Sequence, residues 1–245
     1  MKDNFSQQAD VYAKYRPSYP KELFDFIMLH VQQRTTAWDC ATGNGQAAKE
    51  LSPWFEKVVA TDISQKQLDK AVSAQNILYS VQPAEQTNFD DNSFDLITVS
   101  QALHWFNFEK FYTEVRRVAK PGSWLAVWMY SLLRISPAID AIVEAYHYET
   151  LHDYWDSERK YVDNNYTTIP FPFDEIDTPE FSIIYHWTRE DLEGYFNTWS
   201  ALQKYMSARS ENPVPALMRE IGQHWTGEKM KIVFPIRLRM AQIKK

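Results

Sequence analysis

Cysteine is all but missing from this chain: Cys40 is the only one in 245 residues. A lone thiol cannot close a disulfide within the chain or build a cysteine-based zinc site. Glycine is scarce, with six residues. No apolar run approaches the length that spans a bilayer. The opening Met1-Lys2-Asp3-Asn4-Phe5-Ser6-Gln7-Gln8 lacks the apolar stretch of a secretory leader, so a cytoplasmic protein without a membrane partner is expected. Basic clusters are absent too, and the formal net charge of −6 argues against a large nucleic-acid footprint. What the chain does have is apolar side chain, 44% of residues, with 15% aromatic. That suffices for one large core with rings left over to line a pocket.

Two of the few glycines stand close together, in Asp39-Cys40-Ala41-Thr42-Gly43-Asn44-Gly45-Gln46. Glycine lacks a Cβ, so it serves where backbone turns sharply or a ligand comes close. Thr36-Ala37-Trp38-Asp39-Cys40 before the pair reads as a strand, and Ala47-Ala48-Lys49-Glu50-Leu51 after it can open a helix. Strand, bare turn and helix start make a nucleotide-type cradle. A second apolar run, Val58-Val59-Ala60-Thr61, ends in Asp62. An acid there is placed where the ribose hydroxyls of a bound nucleoside would lie.

Leu23, Phe24, Ile27 and Val31 share a helical face after the breaks at Pro17 and Pro20. Ser64-Gln65-Lys66-Gln67 has the form of a capping box and predicts a helix carrying Leu68, Ala71 and Val72. Ile77-Leu78-Tyr79-Ser80-Val81 and Phe94-Asp95-Leu96-Ile97-Thr98-Val99 read as the third and fourth strands. A helix then buries Phe108, Phe111, Tyr112, Val115 and Val118, and a fifth strand follows the Lys120-Pro121-Gly122 break. Strand and helix thus alternate from Thr35 to Tyr130, the α/β pattern of a parallel sheet with helices on both faces. Further on, Ser136-Pro137 starts a helix, and Leu151 to Pro179 shows no clear periodicity. Phe181 to Trp187 alternate as a strand, Thr188 caps a helix, and Ile232 to Met240 alternate again. Pro235 argues against a mid-sheet place for that last strand unless it lies at a strand start or a bulge.

Taken in order, Asp39 to Gly45, Thr61-Asp62, Pro83-Ala84-Glu85, Phe94-Asp95-Leu96-Ile97 and Lys120-Pro121-Gly122 resemble the motifs of class I S-adenosylmethionine-dependent methyltransferases. The likeness runs through roughly the first half of the chain, which is far more specific than one glycine motif. Phe5, Ala9, Tyr12, Tyr15-Arg16-Pro17 and Tyr19-Pro20, with Leu103-His104-Trp105-Phe106, resemble the small-molecule branch that includes trans-aconitate methyltransferase-like proteins. The resemblance implies a doubly wound, mostly parallel seven-stranded sheet with helices on both faces, an antiparallel C-terminal hairpin and an inserted substrate cap. It implies one domain, with an N-terminal lid and helix over 1–34, a cofactor-binding core over 35–130, and the cap and last strands over 131–245.

The cofactor so implied is S-adenosyl-L-methionine. Gly43 and Gly45 would pass under its methionine moiety in the loop begun by Ala41, with Asp39 near the ammonium group. Asp62 would accept the ribose hydroxyls, Ile63 would pack on the adenine, and Ala84 and Glu85 would meet its amino edge. Gln101, Tyr15 and Arg16 join the cofactor set, while Tyr12, Tyr19, His104 and Trp105 fall to the acceptor. Ala41 and Gln46 depart from the pattern, standing where glycine is common in relatives and leaving the loop's path open.

Two other readings compete. Gly43-Asn44-Gly45-Gln46-Ala47-Ala48 satisfies the G-x-G-x-x-G/A form of a nicotinamide-dependent oxidoreductase. Asp39 counts against it, because pyrophosphate wants a positive helix end without a nearby carboxylate. A cationic sulfonium with a zwitterionic tail tolerates Asp39 readily. A protein that binds S-adenosylmethionine or S-adenosylhomocysteine without turnover is the second alternative, since cofactor motifs report binding and not chemistry.

Single residues also admit plainer roles. Asp62 could cap a helix and Glu85 could be a surface carboxylate, while Asp95 reads as structural and Cys40 as a small buried hydrophobe. His104 follows the fourth strand, where it would act as a general base or orient substrate. The tyrosines at 12, 15 and 19 would pack on the core or cover a sulfonium by cation–π attraction. Arg16 suits a carboxylate of substrate or cofactor. Base-directed members of the class commonly carry Asn/Asp-Pro-Pro-aromatic where this chain has Ser100-Gln101-Ala102-Leu103-His104. With the acidic balance, that points to a small-molecule acceptor, a carboxylate or a hydroxyl, taken by a monomer or homodimer with no nucleic acid and no metal. Leu151 to Trp199 is expected to cover the pocket, with Trp155, Trp187 and Trp199 as walls or core.

Overall fold

Successive residues of a strand point to opposite faces, and here both faces are apolar. Ala37, Val58, Ala60, Leu96, Ala126 and Trp128 join one buried cluster. Their neighbours Trp38, Val59, Ile97, Leu125 and Val127 join another on the far side. A sheet buried on both sides needs helices on both sides, which the computed structural model, describing residues 15 and 17–245, provides. After helix α1 (Lys21–His30) come β1 (Thr36–Cys40), α2 (Gln46–Leu51), β2 (Lys57–Asp62), α3 (Gln65–Leu68) and β3 (Ile77–Val81). Next are β4 (Phe94–Ser100), α4 (Phe108–Val118) and β5 (Ala119–Tyr130). The remainder holds α5 (Pro137–Ala145), α6 (Arg159–Asp163), β6 (Phe181–Trp187), α7 (Arg189–Phe196), α8 (Ser200–Arg209), α9 (Val214–Gly222) and β7 (Met230–Gln242).

The seven strands form one sheet in the order β3-β2-β1-β4-β5-β7-β6. β1 to β5 are mutually parallel, and β7 runs antiparallel to both of its neighbours, β5 and β6. Strand order reverses between β1 and β4, and the crevice at the carboxyl ends of such a pair is where open α/β sheets take ligands.

Three sequence expectations need correction. The helix expected through Ala71 and Val72 ends at Leu68, without a side-chain cap. Val72 instead donates its N–H to the Asn44 carbonyl at 3.1 Å and accepts the Tyr79 hydroxyl at 2.7 Å, which ties this segment to the glycine loop. The last two strands are antiparallel but are joined through α7, α8 and α9 rather than by a hairpin turn. Pro235 lies inside β7, between two paired strands. Val233 exchanges both backbone bonds with Arg134, so Pro235, two residues on, faces the same side. There its carbonyl accepts from Ser131 at 2.9 Å, just past the last β5 pair at Tyr130, and its missing N–H interrupts no bond to β6.

Asp95 is structural, as expected. Its carboxylate accepts the N–H groups of Thr35 and Thr36 at 3.0 and 2.9 Å and pairs with Lys120 at 2.8 Å, pinning the starts of β1, β4 and β5 together. Removing one partner strands the others. Asp95→Ala is therefore expected to lower unfolding stability by about 2–3 kcal/mol in urea melts.

Candidate active site

At the end of β1 the chain reverses through three left-handed residues, Ala41 (φ 54°), Gly43 (φ 58°) and Gly45 (φ 82°), before α2 starts at Gln46. Ala41 adopts the glycine-like conformation despite its Cβ. The two glycines are required for different reasons. A Cβ at Gly45 would sit 2.2 Å from the Tyr79 hydroxyl, whereas one at Gly43 would meet nothing within 4 Å among the described residues. Gly45 is demanded by packing. Gly43 faces open space.

Asp62, at the end of β2, holds this turn. One carboxylate oxygen accepts the Gly43 N–H at 2.9 Å and the other accepts the Ser64 N–H at 2.8 Å. Asp39 lies beneath, fully buried, accepting the hydroxyls of Thr42 and, at 2.9 Å, Thr98. Among the described residues no cation pairs with it. Burial pushes its carboxyl up to about 6, more than the two threonine bonds lower it, and the nearby Asp62 charge pushes the same way. At neutral pH this carboxylate is thus ionised, uncompensated and next to the turn.

The far side of the crevice follows β4. His104 sits in a short 3₁₀ turn, Leu103–Trp105, and its Nδ1 lies 2.7 Å from the Tyr166 hydroxyl. Burial, aided by the Arg159 charge, lowers its pKa to about 3, so the imidazole is neutral across the physiological range. It lines a cleft with Gln101, Trp105, Trp155, Arg159 and Trp199, which encloses about 70 Å³, room for a few waters or one small group.

The remaining expected residues are placed as follows. Gln101 has a left-handed backbone (φ 53°), and its amide bonds both backbone groups of Tyr130, at 3.2 and 3.3 Å. Ala84 is buried, Ile63 is half-buried, and Glu85 accepts the Asn107 N–H at 3.0 Å ahead of α4. The Tyr15 ring lies where a Cβ on Gly194 would come within 2.5 Å of it, and Tyr19 packs edge-on against Trp128. Tyr12 and Arg16 lie outside the described residues. Trp155 and Trp199 line the cleft, while Trp187 stacks on Tyr185 and packs behind the lining residue Tyr195. Cys40 is fully buried, as expected. Sequence reasoning missed Thr42, Thr98, Tyr166 and Arg159. Only Thr42, inside the glycine motif, carried a local signal.

A methyltransferase-like protein of Dictyostelium discoideum is 35% identical over 88% of this chain and 83% of its own length. The chain belongs to the class I S-adenosylmethionine-dependent methyltransferases. A methyltransferase domain model matches residues 38–127, the stretch from β1 to β5. A solved structure from Anaeromyxobacter dehalogenans, assigned as a type II methyltransferase, superposes with a TM-score of 0.87 at 34% identity, over 94% of this chain and 99% of that one. A protein of Saccharomyces cerevisiae assigned to the S-adenosylmethionine-dependent methyltransferases is 26% identical over 63% of this chain and 55% of its own length. Membership of the class displaces the nicotinamide reading.

In this methyltransferase the raised Asp39 pKa has a consequence for stability. The unfolded value is lower, so the contribution of this group is full below about pH 4 and is lost as pH rises through 6. Two units correspond to roughly 3 kcal/mol. Asp39→Asn, whose amide can keep both threonines bonded, is expected to stabilise the ligand-free methyltransferase at pH 7.5. Denaturant melts should show that gain vanishing at pH 4.

Proposed function

We propose that this methyltransferase acts on a small molecule held in the cleft beside His104. The observation that supports the cofactor's place is the juxtaposition of an uncompensated carboxylate, Asp39, with a turn whose Gly43 faces open space. A zwitterionic sulfonium nucleoside fits both features: its ammonium answers Asp39, and its chain passes over Gly43. When bound, S-adenosylmethionine supplies a methyl carbon activated by positive sulfur, which the acceptor's lone pair takes while the C–S electrons remain on the thioether.

The chain's own residues align and shield. Asp62, at the end of β2 beside the turn, would accept the ribose hydroxyls, Ile63 and Ala84 would give the adenine apolar sides, and Glu85 would offer its second oxygen to the adenine amine. Gln101, committed to Tyr130, shapes the wall near the amino-acid end by its backbone turn.

His104 orients the acceptor rather than deprotonating it. The Tyr166 hydroxyl lies 2.7 Å from Nδ1 of this neutral imidazole. With that hydroxyl taken as the donor to Nδ1, Nε2 carries the N–H that would meet the acceptor. A carboxylate acceptor, already ionised, needs no base; a hydroxyl does.

Transfer of a labelled methyl group across a metabolite panel tests the proposal, and methylation confined to protein or nucleic acid would overturn it. Cofactor affinity measured by calorimetry is expected to rise about tenfold from pH 5 to 7.5 as Asp39 ionises. Asp39→Asn should flatten that dependence. Gly43→Ala should cost at least a tenfold loss of cofactor affinity, with the thermal midpoint shifted by only a few degrees, because its Cβ meets no atom of the described residues and the left-handed strain is about 1–2 kcal/mol.

A further inference from the structure

We propose that Arg159 is an anion subsite and that the methyl acceptor is a small carboxylic acid whose carboxylate it holds. This rests on the small-molecule reading above and names the substrate class of that same cleft. Arg159 lines the cleft together with His104. It spends only its Nε on the protein, donating to Asp163 Oδ1 at 3.0 Å. Among the described residues no oxygen accepts from Nη1 or Nη2. An arginine serving Asp163 alone would turn its two-nitrogen fork toward that carboxylate, which is the stronger arrangement. Here the fork is left over.

The side chain is also held in place. Its guanidinium carbon lies 4.7 Å from the centre of the Trp155 ring, and Trp155 is fixed in turn by its Nε1 donating to the His147 carbonyl at 3.1 Å. His147, fully buried in a π-helical turn over Tyr146–Thr150, puts its Nε2 3.2 Å from the same Asp163 oxygen. Asp163 is therefore anchored from two sides. Burial alone would raise its pKa, but the His147 bond and the Arg159 charge outweigh that and hold it ionised. The other acid of the cleft, Asp156, is bonded by Lys204 at 2.7 Å. A preorganised guanidinium fork beside aromatic walls is suited to a planar carboxylate on an apolar body.

The test uses the full chain saturated with S-adenosylhomocysteine. Benzoate, phenylacetate, succinate and a set of similar small acids are titrated beside their primary amides, with tryptophan fluorescence as the readout. At least one acid is expected to bind tenfold or more tightly than its amide. Arg159→Met should abolish that preference while leaving S-adenosylhomocysteine affinity within twofold. Arg159→Lys, which keeps the charge but not the fork, should retain part of it. Amides binding as well as acids, or a preference that survives Arg159→Met, would overturn the proposal and leave small-molecule methylation standing. Methyl transfer found only on macromolecules, with no acid or amide bound, would overturn both.

Discussion

The carboxylate of Asp62 gripping the N–H groups of Gly43 and Ser64 is the contact on which this site depends. It joins the end of β2 to the turn that leaves β1, across strands that pair only in the sheet. Without it, three left-handed residues in a row of five would have little to hold them. The Val72 N–H to Asn44 and the Thr42 N–H to the Thr61 carbonyl tie down the same turn from two further directions. A loop so fixed presents backbone at one position, Gly43, with no side chain of the described residues in front of it. Preorganisation of this kind lowers the ordering cost of taking a ligand.

Charge then decides what kind of ligand. A buried carboxylate with no cation beside it is costly, and among the described residues Asp39 is retained in that state directly under the turn. The threonine hydroxyls soften the burden without removing it. A positively charged ligand converts the liability into affinity, since it supplies what the folded chain withholds. An anionic pyrophosphate would deepen it. The same residue therefore explains both why the protein is less stable than it need be above pH 6 and why a sulfonium nucleoside suits it.

The half of the candidate site around the glycine turn was legible as structure because it is built locally. Gly43, Gly45, Asp39 and Asp62 sit at strand ends, and a strand, turn and helix can be read from spacing alone. The half beside His104 was not, because its residues converge from far apart. Tyr166 reaches His104 across sixty-two positions, and it comes from a stretch with no periodicity. Arg159 and Asp163 belong to a five-residue helix too short to leave a pattern. The error over Ala71 and Val72 has a related cause. Serine and glutamine three apart form a cap only if the helix continues, and here Tyr79 and Asn44 capture the backbone first. Pro235 misled for a subtler reason, since its placement depends on which neighbour its missing N–H faces, and sequence carries no record of that.

On the proposed reading, His104 and Arg159, which line one cleft, divide the acceptor side in a way that limits the chemistry. A histidine buried until its pKa falls to about 3 holds no usable charge and is a weak base. Were proton removal the task, burial beside a guanidinium would be a poor arrangement, because it disfavours the imidazolium that deprotonation would create. If the acceptor is a carboxylic acid, the difficulty disappears. Its pKa of about 4 leaves it ionised before it binds, the guanidinium that suppresses His104 protonation attracts it, and no proton has to move. The electrostatics that make His104 a poor base are thus the same ones that favour an acceptor needing none.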